Sequence, residues 1–280
     1  MRTFLVFQLY GPLCSWGDIA VGGERPAAAH PGRSAVLGLL AAAAGIRRHE
    51  EEQHQALEQA FGMAVRMESS GTFLNDYHTA QVPPQAACKK HPTVTRRDEL
   101  LALAAYQQDN PKTSGTILSN RAYRCDALYQ VALWQRQEGS LIALTLEQAK
   151  AYLASPNFTL YLGRKSCPPA LPLQAQLIDA ENLVAAFSKA NLTSPQEFAQ
   201  ILRGESSRAQ GGRIKNLFRK QPVTLFWDND GEQGVESGVP AQETFVRRDA
   251  VLSRKRWQFE ERQEHHAPWP QEPPPQQEGS

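Results

Sequence analysis

Residues 3–12, TFLVFQLYGP, alternate aromatic and aliphatic side chains and stop at Gly11-Pro12. A short apolar run rich in such residues and closed by a breaker reads as a β-strand. Outward from it, residues 13–32 form a loop rich in Gly, Pro and Ala. Ser34 then opens the compact apolar stretch AVLGLLAAAAGI, a helix with Ser34 as N-cap and Gly45 near its end. A second, polar helix is expected over 49–61, with Leu57 and Phe61 four apart on its inner face. Residues 62–68 and 71–79 read as paired strands. Strand patterns return at 117–125 and 128–134, then a helix over 145–153 and a strand over 157–162. The order β, α, β, β, (β,) β, α, β, with strands paired through hairpins, predicts an α+β sandwich of the ferredoxin-like type.

Residues 83–112 interrupt that order. They carry three prolines before Val94, the basic pairs Lys89/Lys90 and Arg96/Arg97, an apolar patch at 100–105 and then Asp109-Asn110-Pro111. A connection this long inside a compact domain is usually functional. After CPPALP at 167–172 a helix is expected near 180–189, then a loop rich in Gly, Ser and Arg, with short strands at 222–227, 244–247 and 256–260. The end of the chain, HHAPWPQEPPPQQEGS, has a composition that favours disorder.

Composition excludes several classes. With 280 residues, 41% of them hydrophobic, the chain has material for a sizeable core. Its longest apolar run, 35–46, falls short of the ~20 residues a membrane span needs. The N-terminus lacks a signal-peptide pattern, so a soluble, cytoplasmic protein without a membrane partner is expected. Four cysteines (Cys14, Cys88, Cys125, Cys167) show no paired spacing, which argues against structural zinc and for reduced thiols. No GxSxG, HExxH or GxGxxG occurs, and the Gly163-Arg164-Lys165-Ser166 turn lacks the earlier glycine of a P-loop. The formal charge of +1 hides clusters: residues 203–220 hold six basic residues and one acidic, and 247–256 hold five and one. Such clusters suit a polyanion, though each alone is more often a solvated face.

Three constellations carry candidate chemistry. The first strand leads through Trp16 to Arg25, Arg33 and Ser34 at a helix start, where backbone amides and guanidinium groups can bind phosphate. Trp16 can stack a base or plug the core. Asp76-Tyr77-His78-Thr79 ends a strand, and His78 beside Tyr77 suits a general base, a phosphate contact or an ordinary structural histidine. Arg164 and Lys165 sit at a turn suited to a phosphate.

Taken together, GPLCSWG (11–17), GGERP (22–26), PGRSAVLGLLAAAAGI (31–46), DYHTAQ (76–81), RAYRCDALYQVALW (121–134) and SPNFTLYLGRKSCPPALPL (155–173) resemble the Cas5 family of CRISPR-associated subunits, in its type I-E branch. The matching blocks span roughly residues 1–173, with a weaker echo at 243–259. Gly32 stands where the family commonly has Thr. The resemblance implies a ferredoxin-like or RRM-like RAMP domain over 1–167 with a thumb hairpin inserted at about 80–116. A smaller, mainly β C-terminal domain over 168–262 and a Pro/Gln/Glu-rich tail over 263–280 would follow. It further implies a non-catalytic subunit that caps the crRNA 5′ handle, needs no cofactor or metal, and contacts the backbone subunit CasC and the large subunit CasA. Other Cascade subunits would be further partners, and target DNA would be met only indirectly. Under that resemblance Arg25, Arg33, Arg164 and Lys165 would supply charge near the sheet edge, with Ser34, His78 and Arg121 in the same matching blocks. Trp16, Tyr77 and Tyr123 would offer stacking faces, and Lys89, Lys90, Arg96 and Arg97 would grip the RNA backbone. The alternative is a metal-independent endoribonuclease that processes pre-crRNA, as in type I-C relatives, with Tyr77, His78 and Lys165 as its candidate residues.

Overall fold

The computed structural model describes the chain except for residues 91–92, 114, 137–143, 196, 198–221, 232–233 and 271–280. The basic segment at 203–220 and most of the proline-rich tail therefore lie outside the described residues. The described chain forms two compact units. One comprises residues 1–16, 28–73 and 124–280, and the other residues 17–27 and 74–123.

The larger unit is built on β1 (Arg2–Cys14), α1 (Arg33–Ala44), α2 (Glu51–Ala60), β3 (Phe61–Ser69), the later part of β5 (Thr116–Gln135), α5 (Leu146–Ala154) and β6 (Gln176–Ala180). The remaining labels follow the chain: β2 (Glu24–Arg25), β4 (Thr72–Gln81), α3 (Gln85–Lys90) and α4 (Arg96–Asp109) come before β5. After β6 come α6 (Leu183–Lys189), β7 (Thr224–Asp228), β8 (Glu243–Ser253) and β9 (Gln258–Pro268). The sheet order is β6-β1-β5-β3-β7-β9-β8. In its first half β1 and β3 both run antiparallel to β5 and hence parallel to one another, joined by the α1–α2 crossover, while β6 pairs antiparallel with the other edge of β1. This is the βαββαβ arrangement expected for a ferredoxin-like α+β fold.

β1 holds the centre because both of its faces are apolar. Phe4 and Val6 join Trp134, Leu183, Phe187, Leu225 and Trp227 in one core cluster. The intervening Leu5 and Phe7 are equally buried and point the other way, as the two-residue period of a strand requires.

Several boundaries differ from the sequence reading. β1 continues through Gly11-Pro12 to Cys14, because its partner β5 is a single long strand and not two. Asp126 sits between the two expected halves with a left-handed φ of 56°, and the ladder continues past it. β3 and β4 do not pair with each other; β3 pairs with β5 and β7, and β4 with β5. The strand expected at 157–162 is irregular. Its groups are taken by Asn157, whose amide and side chain donate to Ala43 O at 2.9 and 3.0 Å, and Phe158, which donates to Ala42 O, closing the end of α1. The separate domain expected from residue 168 does not follow the sheet, since β6 extends one edge and β7, β9 and β8 extend the other. β9 also runs to Pro268, into the tail expected from 263.

In the smaller unit, β2 pairs in parallel with β5 through Glu24↔Asn120 and Arg25↔Arg121. The stretch predicted as a thumb insertion carries two helices, α3 and α4. α4 opens with a capping box: Thr95 accepts from the Asp98 amide, and Asp98 accepts from Thr95 N at 2.9 Å.

Candidate nucleic-acid interface

Of the candidates in the larger unit, Arg33 is the clearest departure. Only 2% of it is exposed. Its guanidinium pairs with Glu58 and Asp228 and donates to Phe61 O at 2.6 Å. The same cluster continues outward. Arg262 donates to Asp228 at 2.9 Å, to Asp249 at 2.6 Å and to Glu264 at 2.7 Å. Arg136 pairs with Asp230 at 2.5 Å, and Arg247 with Glu264 at 3.2 Å. His30 lies flat on Phe226 at 3.8 Å and within 3.2 Å of Glu264. Burial and, more weakly, Arg247 hold His30 below the usual histidine range. Burial raises the Glu264 carboxyl, but His30, Arg247 and Arg262 outweigh it and leave it well below the ordinary carboxylate range. All of the hydrogen-bonding capacity seen for Arg33 is thus spent inside the protein, and none faces a ligand.

Ser34 is not the cap of α1 either. The N-cap is Gly32, and the orphan amide of Arg33 is satisfied by the Asp249 carboxylate at 2.8 Å. A Cβ on Gly32 would stand 2.3 Å from that carboxylate oxygen. This accounts for glycine where the sequence pattern led to Thr: the cap is supplied by β8 and needs the space. Trp16 is 1% exposed and packs edge-on against Tyr129, with ring centroids 5.8 Å apart, so it plugs the core and offers no face to a base.

Arg164 and Lys165 keep their place at a turn. Gly163 takes a left-handed φ of 87°, and a Cβ there would stand 1.9 Å from Ser15 O, so both the turn and the close approach require glycine. Ser15 N donates to Leu162 O and Leu162 N to Cys167 O, which fixes the turn beside the end of β1. Lys165 is exposed and Arg164 half-buried.

In the smaller unit the candidates are far more open. Tyr77 is 63% exposed on β4. His78 stands on the opposite face of the strand, with Nδ1 3.8 Å from Asp76. Neighbours on a strand point apart, so Tyr77 and His78 do not converge on one scissile bond. Arg25 donates to Gly22 O and Glu24 O at 2.6 and 2.8 Å, and register places it opposite Arg121, which is half-buried beside Ser119. Lys89 and Arg97 are exposed, and among the described residues neither is ion-paired. Lys90 ends α3. Arg96 is exposed but partly committed, to Glu99 at 2.5 Å and to Gln81 O. Tyr123 is 9% exposed, too buried to stack a base. Among the described residues no group of three or more His, Cys, Asp or Glu gathers as a metal centre, and no helix is long and apolar enough to cross a membrane.

The sequence model of the family described as "CRISPR-associated protein (Cas_Cas5)" matches residues 4–263. The chain belongs to the Cas5 family. The CRISPR system Cascade subunit CasD of Escherichia coli K12 is 34% identical over 181 residues, covering 62% of this chain and 70% of the relative. Among solved structures, a chain of a CRISPR RNA-guided surveillance complex superposes with a TM-score of 0.57 at 22% identity, over 95% of this chain and 90% of that one. A second, described as a Cas protein, gives 0.51 at 22% identity over 95% of each.

In this Cas5-family chain the residues missed by sequence reasoning are the carboxylates that claim Arg33. Asp228 ends the otherwise apolar strand TLFWD, a weak sign of a buried charge, and its partner lies 195 positions away. Trp257, exposed in the turn between β8 and β9, is another, and nothing in the sequence sets it apart from the basic cluster beside it.

Proposed function

We propose that this Cas5-family chain is a non-catalytic, crRNA-binding subunit of a Cascade-type surveillance complex. It holds the crRNA 5′ handle and joins a CasC-type backbone to a CasA-type large subunit. The observation that carries this reading is the contrast in the smaller unit, where Lys89, Arg97 and Tyr77 are exposed and the two cations lack carboxylate partners among the described residues. Exposed cations and an exposed aromatic within one unit suit splayed, single-stranded RNA, whose phosphates take the charge and whose bases stack. Lys165 and Arg164 are assigned a supporting phosphate contact on the larger unit. Tyr77 and His78 on opposite strand faces speak against a nuclease built on that pair.

The test is one incubation with two readouts. Purified protein in EDTA is mixed with end-labelled repeat RNA or with RNA whose handle is scrambled, then run on native and denaturing gels. A handle-dependent complex with intact RNA is expected, weakened when Lys89, Lys90, Arg96 and Arg97 are changed to Ala. Defined cleavage that His78→Ala abolishes would overturn the non-catalytic reading in favour of a processing ribonuclease.

A further inference from the structure

The turn between β8 and β9 holds a second aromatic-basic site, in the larger unit. Trp257 is 57% exposed and adopts a left-handed φ of 58°, a conformation bulky residues rarely take. The Arg48 guanidinium lies over its ring, 4.7 Å from the centroid, and Phe259 packs edge-on at 5.6 Å. Arg254, 5.8 Å from the same ring, is anchored on Ser34 O. Around them Arg47, Arg48, Lys255 and Arg256 are exposed, and none of the four forms an ion pair among the described residues. Two carboxylates beside the patch are engaged by backbone amides: Glu50 accepts from Arg47 N and Glu51 from Lys255 N, each at 2.5 Å. The start of α2 is thereby tied to the turn through Glu51, and the cations around it form no ion pair among the described residues.

We propose that this patch is a further contact for an unpaired stretch of nucleic acid. Trp257, backed by Arg48, stacks one base, and Lys255 and Arg256 take the flanking phosphates. Tryptophan provides the sequence-tolerant face, and unpaired cations provide the phosphate contacts. The site goes beyond handle binding and does not rest on it. It uses residues of the larger unit alone.

The test uses the full chain, both unchanged and with Lys89, Lys90, Arg96 and Arg97 replaced by Ala, so that loss of the handle surface and loss of this patch are read separately. Labelled oligo-dT and oligo-U are titrated by anisotropy while tryptophan emission is followed. Of the five tryptophans, Trp16, Trp134 and Trp227 are buried and Trp269 half-buried, so quenching by an added strand reports chiefly on Trp257. Trp257→Ala is expected to weaken binding about tenfold, and Trp257→Phe to keep most of it. Changing Lys255 and Arg256 to Ala should lower the salt slope by roughly 1.4. The two oligonucleotides tell whether the strand is DNA or RNA. Unchanged affinity in folded Trp257→Ala, or in the Lys255/Arg256 variant should the first not fold, would overturn the proposal. Quenching by polyglutamate but by neither oligonucleotide would overturn it in favour of an acidic protein partner.

Discussion

Arg33 and Arg97 are the same residue in two opposite environments. Around Arg33 the larger unit assembles Glu58, Asp228, Arg262, Asp249, Glu264, Arg247 and His30 into one buried charged cluster that holds β7, β8 and β9 against α1 and α2. Arg97, at the start of α4 in the smaller unit, is exposed and has no ion pair among the described residues. A guanidinium buried among carboxylates contributes to the fold, because removing it strands charges that water cannot reach. An exposed one contributes little to the fold and remains available to a polyanion. Location within the fold therefore assigns a cation its job, and residue type does not.

The comparison breaks most easily at Arg33. Arg33→Met should cost about 3–5 kcal/mol of unfolding free energy, since Glu58 and Asp228 lose a partner and Phe61 O a donor. That is a large part of the ~5–15 kcal/mol of a typical domain. Arg97→Met should stay within about 0.5 kcal/mol of the parent. Urea unfolding at pH 7 measures both. Equal losses would mean that the two arginines do not differ as described.

The reverse ranking is expected for RNA. Replacing Lys89, Lys90, Arg96 and Arg97 together should leave the urea midpoint nearly unchanged, while the slope of log affinity against log salt falls by up to ~2.8, about 0.7 for each phosphate left without its cation. Arg96, held by Glu99, should account for the least of it. Single-site salt titrations of handle RNA binding would show the order. A midpoint shift as large as that of Arg33→Met would assign these residues to the fold instead.

A smaller contrast separates the aromatics. Tyr77→Ala should reduce RNA affinity about tenfold with little change in stability. Trp16→Ala should do the opposite, lowering stability by roughly 3–5 kcal/mol as a buried indole is removed. Gel shifts and melts on the same two variants decide between them.

What the sequence discloses follows the range of the interaction involved. The strand at 3–9, the apolar helix after Ser34 and the helix before Phe61 depend on neighbours a few positions away, and all three are present. The order of elements through α5 anticipates three of the four strands of the ferredoxin-like half; the fourth, β6, lies at Gln176–Ala180 and not at 157–162. The stretch at 157–162 looks like a strand, but the end carbonyls of α1 take the amides of Asn157 and Phe158 first. The joining of β7 to β3, and the claim of Asp228 on Arg33, are set by contacts spanning most of the chain, which no local spacing records. Trp16 and Tyr123 carry the same chemistry as Tyr77 in the sequence; only burial tells them apart.

The smallest expected effect concerns the same buried cluster and its response to acid. His30 is held below the ordinary histidine range by burial, so the folded state favours its neutral form. His54 is shifted in the same direction by burial and by Arg254. For such groups stability is complete above the unfolded pKa, about 6.5, and declines as pH falls below it, because the unfolded chain takes up the protons first. Each histidine adds at most about 1.4 kcal/mol per pH unit to that decline. Glu264, held low by His30, Arg247 and Arg262, joins only below about pH 4.5, when the unfolded carboxyl starts to protonate. Unfolding free energy measured between pH 7.5 and 5 should therefore fall toward acid, and His30→Gln should flatten part of that slope while Arg97→Met leaves it unchanged. A profile that is flat from pH 7.5 to 5 would mean that His30 titrates as freely in the fold as out of it, and His30 would no longer count as a buried member of the cluster.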